Sequence, residues 1–155
     1  MSSKKVYFDA CSWCRPYDDL SQPKIYIESE AILEILHLCK AKSWTVVASE
    51  VIEIELLRIK DTEKLDGVKS LYEDATEYLT LTDDIKLLAQ NFQQHGLKEY
   101  DSLHLATAQI NGCDVFLTTD NNFRRDALKM MLNIQVRNPV EWLLEESEND
   151  TNSSD

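Results

Sequence analysis

Val6-Tyr7-Phe8-Asp9 and Val115-Phe116-Leu117-Thr118-Thr119-Asp120 are two short apolar runs that each stop at an aspartate. Their β-branched and aromatic residues follow one another without polar alternation, the pattern of strands buried on both faces. Working outward, residues 5–9 read as a first strand and residues 11–23, with two prolines, as a loop with room for a turn of helix. Over 25–41, Ile25, Ile32, Ile35, Leu36 and Cys39 recur at helical spacing. Residues 44–48 read as a second buried strand, after which Ser49 caps a helix carrying Val51, Ile52, Ile54, Glu55, Leu56 and Ile59. Residues 61–78 have mixed helical propensity, and 78–81 read as a short strand. Thr82-Asp83-Asp84 starts a helix that ends at Gly96. Residues 100–111 and 123–131 read as helices, 134–136 as a last strand, and Pro139 opens a last helix. Strands alternating with helices of about 10–15 residues predict an α/β fold. A mainly parallel central sheet is expected, covered on both faces in three α/β/α layers.

At 155 residues the chain is expected to be one domain with a sizeable core. We expect residues 1–144 to form it and residues 145–155 to be an acidic, disordered tail, since the last stretch holds Glu145, Glu146, Glu148, Asp150 and Asp155 and no base. The sequence has no apolar run long enough to span a membrane. Its start, Met1-Ser2-Ser3-Lys4-Lys5-Val6, is not a secretory pattern, so a cytoplasmic protein is expected. The net charge of −12 argues against nonspecific attraction to nucleic acid through the average field.

In open α/β sheets, ligands bind beyond the carboxyl ends of the strands. Asp9 and Asp120 end strands, Asp101 stands in the first turn of a helix, and Glu55 lies one to two turns into the helix after the second strand. Alone, each also reads as a cap, a turn residue or a solvated acid. Together they form a set that one sheet edge could gather. Crowded carboxylates repel and persist beside a cation, and hard oxygen donors suit Mg²⁺ or Mn²⁺.

Phe8-Asp9-Ala10-Cys11, Ser49 to Leu56, Tyr100-Asp101-Ser102-Leu103-His104-Leu105-Ala106-Thr107-Ala108 and Leu117 to Phe123 together resemble the motifs of PIN-domain nucleases, which include the VapC-like toxins of toxin–antitoxin systems. The resemblance spans roughly residues 5 to 140. It implies a metal-dependent endoribonuclease, with Asp9, Glu55, Asp101 and Asp120 as the acidic metal and catalytic site and Thr118 as a supporting hydroxyl. Mg²⁺ (or Mn²⁺) is the implied cofactor. RNA is the implied substrate, with a cognate antitoxin and a homodimer as expected partners. Many relatives read Asp-x-Asn at the first motif, where this chain has Cys11. Arg15-Pro16-Tyr17-Asp18-Asp19 resembles the stretch that follows Asp-x-Cys or Asp-x-Ser in some of them. Arg15, Lys98, Arg124 and Arg125 are candidates to hold RNA phosphates.

Other readings compete. Cys11-Ser12-Trp13-Cys14 could be a redox pair, although Arg15-Pro16 follows instead of a long helix. Zinc would need a second close pair, which Cys39 and Cys113 do not form. A haloacid-dehalogenase phosphatase would want an aspartate at position 11. His104 reads as a polar core residue or a support for the site, and Trp13 as packing or as a base-stacking platform. The alternative function is a non-catalytic PIN-fold module that binds RNA or protein.

Overall fold

The architecture is that of a computed structural model describing residues 3–153. The strands are β1 (Lys5–Phe8), β2 (Thr45–Ser49), β3 (Glu77–Leu79), β4 (Val115–Leu117) and β5 (Gln135–Arg137). The helices are α1 (Ala10–Cys14), α2 (Pro23–Lys42), α3 (Glu50–Leu56), α4 (Thr62–Tyr72), α5 (Asp83–Gln94), α6 (Glu99–Ile110), α7 (Asn121–Leu128) and α8 (Pro139–Ser153). All neighbouring strands pair in parallel, in the order β3-β2-β1-β4-β5.

The chain steps outward from β1 to β2 and β3, then returns to lay β4 and β5 on the other side. The order therefore reverses at β1, and the crevice beyond its carboxyl end is the place where such sheets take ligands. Asp9 directly follows β1, and the β1–β4 register sets Phe8 opposite Leu117. Successive side chains of β1 serve opposite layers. Tyr7 stacks on Phe116, whose ring touches Phe123 of α7, and its hydroxyl reaches His104 of α6. Phe8 packs on Trp13 of α1, which meets Tyr72 of α4 edge-on. These two sets of helices are the outer layers, as expected for α/β/α.

Three elements differ from the sequence reading. Residues 11–23 hold more helix than the single turn the reading allowed: Asp9 caps α1, and a 3-10 turn over Arg15–Tyr17 follows with Pro16 at its centre. β3 begins at Glu77 rather than Tyr78, because its place is set by pairing with β2, with Val47 opposite Glu77. The chain is also not irregular from Glu145 on, since α8 continues to Ser153. Glu145 pairs with Arg137 at 3.2 Å and Glu146 with Lys4, whose ammonium lies over the rings of Trp44 and Trp142. The last two residues of the expected tail, and the side chains of 151–153, lie outside the described residues.

Candidate active site

Each acid is placed by a local structural rule. Asp9 is the N-cap of α1, with Oδ1 accepting from the Ser12 amide at 2.9 Å. Asp120 is the N-cap of α7, with Oδ1 accepting from the Phe123 amide at 3.0 Å. Capping occupies one oxygen of each carboxylate and leaves the other, so the capping reading and the site reading hold together. Asp101 stands in the first turn of α6 and Glu55 in the last turn of α3, a helix that Ser49 begins by capping the Ile52 amide.

Electrostatics tie the four together. The Asp101 carboxyl is pushed up to about 6 by partial burial, then by the charges of Asp9, Asp120 and Glu55. Burial also raises Asp9, which is 5% exposed, while hydrogen bonds from Thr118 and Ser12 and the nearby His104 work the other way. The Cys11 thiol is raised chiefly by Asp9, with burial and the charge of Glu55 adding to it. A cavity of about 350 Å³ opens here, lined by Glu55, Asp120, Cys11, Cys14, Arg15, Asp18 and Lys64 among others. Asp9 and Asp101 act on it from outside that lining. Among the described residues, no three His, Cys, Asp or Glu side chains are gathered to hold a metal ion together. The donors are nevertheless hard oxygens. Mg²⁺ keeps most of its waters and needs only one or two carboxylates beside phosphate, so the donor chemistry fits such an ion.

Glu55 is also held from behind. His104 is 1% exposed, and its Nε2 bonds Glu55 Oε1. Its Nδ1 lies 2.6 Å from the Tyr7 hydroxyl, which lies 2.9 Å from Ser49 Oγ. Sequence reasoning placed His104 near the site but missed Tyr7 and Ser49 as its partners. A phenol in a strand buried on both faces was the available signal, because such a hydroxyl needs a partner.

The expected phosphate-binding bases are mostly occupied. Arg15 bonds Asp18 at 3.2 Å and pairs with buried Glu28 at 3.1 Å. Arg124 pairs with Glu141 at 3.1 Å, and Arg125 lies 3.6 Å from Asp126. Lys98 is exposed at the start of α6. Lys64, which nothing in its local sequence pointed to, lines the cavity and bonds Asp18 at 2.8 Å. Trp13 is fully buried and packs in the core, so its ring is not open to a base. The four cysteines are free. Cys14 is pushed up to about 11 by burial first, so both thiols of the Cys-x-x-Cys pair are held protonated, contrary to a redox pair.

The fold has solved counterparts. VapBC2 from Rickettsia felis, bound to a DNA fragment from its promoter, is 17% identical with a TM-score of 0.55 over 86% of this chain and 98% of that one. A toxin–antitoxin complex from Klebsiella pneumoniae is 15% identical with a TM-score of 0.56 over 86% and 97%. DNA-bound VapBC from Salmonella typhimurium is 15% identical with a TM-score of 0.59 over 88% and 98%. At such identities the likeness is one of fold. No curated protein matches the chain by sequence. The profile of the PIN domain matches residues 16–128, which begins after Asp9 but takes in Glu55, Asp101 and Asp120. With a match over well more than half its length, the chain belongs to the PIN-domain family.

Proposed function

We propose that the chain is a Mg²⁺- or Mn²⁺-dependent endoribonuclease of the VapC-like kind, a cytoplasmic toxin of a toxin–antitoxin pair. The observation that carries this reading is the placing of Asp101, partly buried and in the field of Asp9, Asp120 and Glu55, which together raise it to about 6. Four acids that feel one another at the reversal point of a parallel sheet are a costly arrangement without a cation. Nuclease chemistry with divalent metal is general to the PIN family.

In that role the capped Asp9 and Asp120 each offer their remaining oxygen, and Glu55 offers the one that His104 leaves. Asp101, raised to about 6 by burial and by its acidic neighbours, stands beside them. A bound divalent ion supplies charge neutralisation at the phosphodiester and activates water. The Thr118 hydroxyl favours the ionised form of Asp9, against the burial that raises it. Arg15 and Lys64, held by Asp18, are the cations on the cavity wall closest to where flanking phosphate would pass.

A cognate antitoxin is the inferred protein partner, because the solved counterparts are toxin–antitoxin complexes. A homodimer is inferred from the exposed Tyr26, Ile27 and Leu33 of α2. The test is cleavage of a mixed RNA pool with Mn²⁺. Activity is expected with the metal, lost with EDTA, and lost in Asp101→Asn while circular dichroism stays unchanged. Wild-type RNA that survives intact with Mn²⁺ would leave the non-catalytic binding module as the better reading.

A further inference from the structure

We propose that Ser49, Tyr7 and His104 form a directional hydrogen-bond relay that positions the Glu55 carboxylate at the cavity, a role that rests on the metal-dependent reading.

The direction follows from counting protons. Ser49 Oγ already accepts from the Ile52 amide at 3.0 Å, so its own proton is available to Tyr7. The Tyr7 hydroxyl accepts that proton and gives its own to His104 Nδ1. Glu55 Oε1, which can only accept from a ring nitrogen, takes its hydrogen bond from His104 Nε2. No donor is left over and no acceptor is empty in this order. Reversing it would leave the Glu55 carboxylate, which can only accept, facing a bare ring nitrogen.

The relay also closes on itself. Ser49 is the N-cap of α3 and Glu55 stands in its last turn. The same seven-residue helix is therefore fixed at its start by the Ser49 cap and near its end by His104. Tyr7 is anchored in the central strand, stacked on Phe116 at 5.1 Å, so the relay refers Glu55 to the most rigid part of the sheet. Glu55 has a side chain 26% exposed and a flexible stem, and without this bond little on the page would hold one rotamer. His104 is not itself part of the cavity lining and reaches the cavity only through Glu55, so it is a positioning residue. Hydrogen-bonding partners behind metal-binding carboxylates are typically worth about 10–100-fold in metal affinity.

The test uses the full chain and begins without metal. Nitrogen-15 spectra are expected to show His104 as the Nε2–H tautomer, with that proton shifted far downfield and protected from exchange. Tyr7→Phe, which keeps the ring packing, is expected to move the Nδ1 resonance, which loses its hydrogen bond, while Glu55 still holds the proton on Nε2. Mn²⁺ binding is then read by calorimetry. His104→Leu and Tyr7→Phe are each expected to weaken it about tenfold, and His104→Gln, whose amide can still donate to Glu55, to restore most of the loss. An Nδ1–H tautomer overturns the relay whatever the protein's activity. Unchanged Mn²⁺ affinity in both variants, with Glu55→Gln weakened, overturns the positioning role. A wild-type chain with the expected tautomer but no Mn²⁺ uptake rejects the metal-dependent reading, and the role with it; the tautomer distinguishes that failure from a failure of the relay.

Discussion

Thr118 joins Asp9 to Asp120 through one hydroxyl: it hydrogen-bonds the Asp9 carboxyl and accepts from the Asp120 amide at 3.0 Å. The pairing of β1 with β4 makes this possible, because Phe8 stands opposite Leu117 and the next residue of each strand falls side by side. The Asp9 amide continues the ladder, donating to the Leu117 carbonyl at 3.1 Å. Two of the four acids thus owe their relative position to a residue that carries no charge.

Thr118→Val keeps the shape and removes the bridge. Thr118 is 1% exposed, so the variant leaves the part-buried Asp120 amide without its acceptor and Asp9 with one donor fewer, the Ser12 amide remaining. The expected cost is about 2 kcal/mol in stability. Nuclease activity should fall on the order of tenfold, and Thr118→Ser should recover both. Denaturant titration and an RNA cleavage assay read the two effects; a Val variant with wild-type activity would remove Thr118 from the site.

The shift of Asp101 sets a pH dependence with a definite sign. Folded, and without metal, its carboxyl holds a proton up to about 6, whereas its ordinary value is 3.8. Between those values the folded chain binds more protons than the unfolded one, so this group's contribution falls as pH rises through that window and stays lost above it. Asp9 shifts in the same direction. In EDTA, Asp101→Asn is therefore expected to be more stable than the wild type at pH 7, with the advantage gone below pH 4. Asp101 is only partly buried, so the gap is discounted for solvent to on the order of 1 kcal/mol. Urea titrations at the two pH values check it, and equal stability at pH 7 would count against charge crowding at the site.

The strands flanking the site were legible because β1, β2 and β4 are buried on both faces and read as continuous apolar runs. Asp9 and Asp120 could be picked out for the same reason, as charges that end such runs. What sequence patterning did not reveal depends on side chains meeting across long separations. Tyr7 and His104 are 97 positions apart, and Lys64 reaches Asp18 over 46. The edge strand β3 was misplaced because Tyr78 is half exposed, and an edge carries a weaker apolar signal than a central strand. Arg15 reads as a candidate to hold phosphate, and its buried partner Glu28, on α2, is invisible in a local reading.

The end of α8 offers another such case. Its acidic composition reads as disorder, yet Lys4 bridges Glu146 and the two tryptophan rings, with Trp142 buried to 1%. Truncation after Leu144 removes Glu145 and Glu146 and with them the ion pairs to Arg137 and Lys4. Both pairs are part-exposed, so the expected loss is about 1 kcal/mol, with RNA cleavage unaffected. A melting curve identical to the full chain would return the segment to the status of a dispensable tail.

The chemistry at the cavity also predicts which ends the cut RNA carries. A covalent intermediate would need an activated side-chain nucleophile. Cys11 faces the acids, but Asp9 and burial hold its thiol protonated. Ser12 is fully buried and donates to the Leu117 carbonyl, and Ser49 is committed to its cap and to Tyr7. Attack by the RNA's own 2′-hydroxyl would need a general base within hydrogen-bond reach. The histidine nearest the acids, His104, is 1% exposed with both ring nitrogens engaged. In the proposed metal-dependent reading water would be the nucleophile, and in-line attack would expel the 3′ oxygen. The products are expected to carry a 5′-phosphate and a 3′-hydroxyl. Mass spectrometry of a short RNA cut with Mn²⁺ reads the ends directly, and 2′,3′-cyclic phosphates would reject both the water mechanism and the assignment of His104 as a group that never meets substrate.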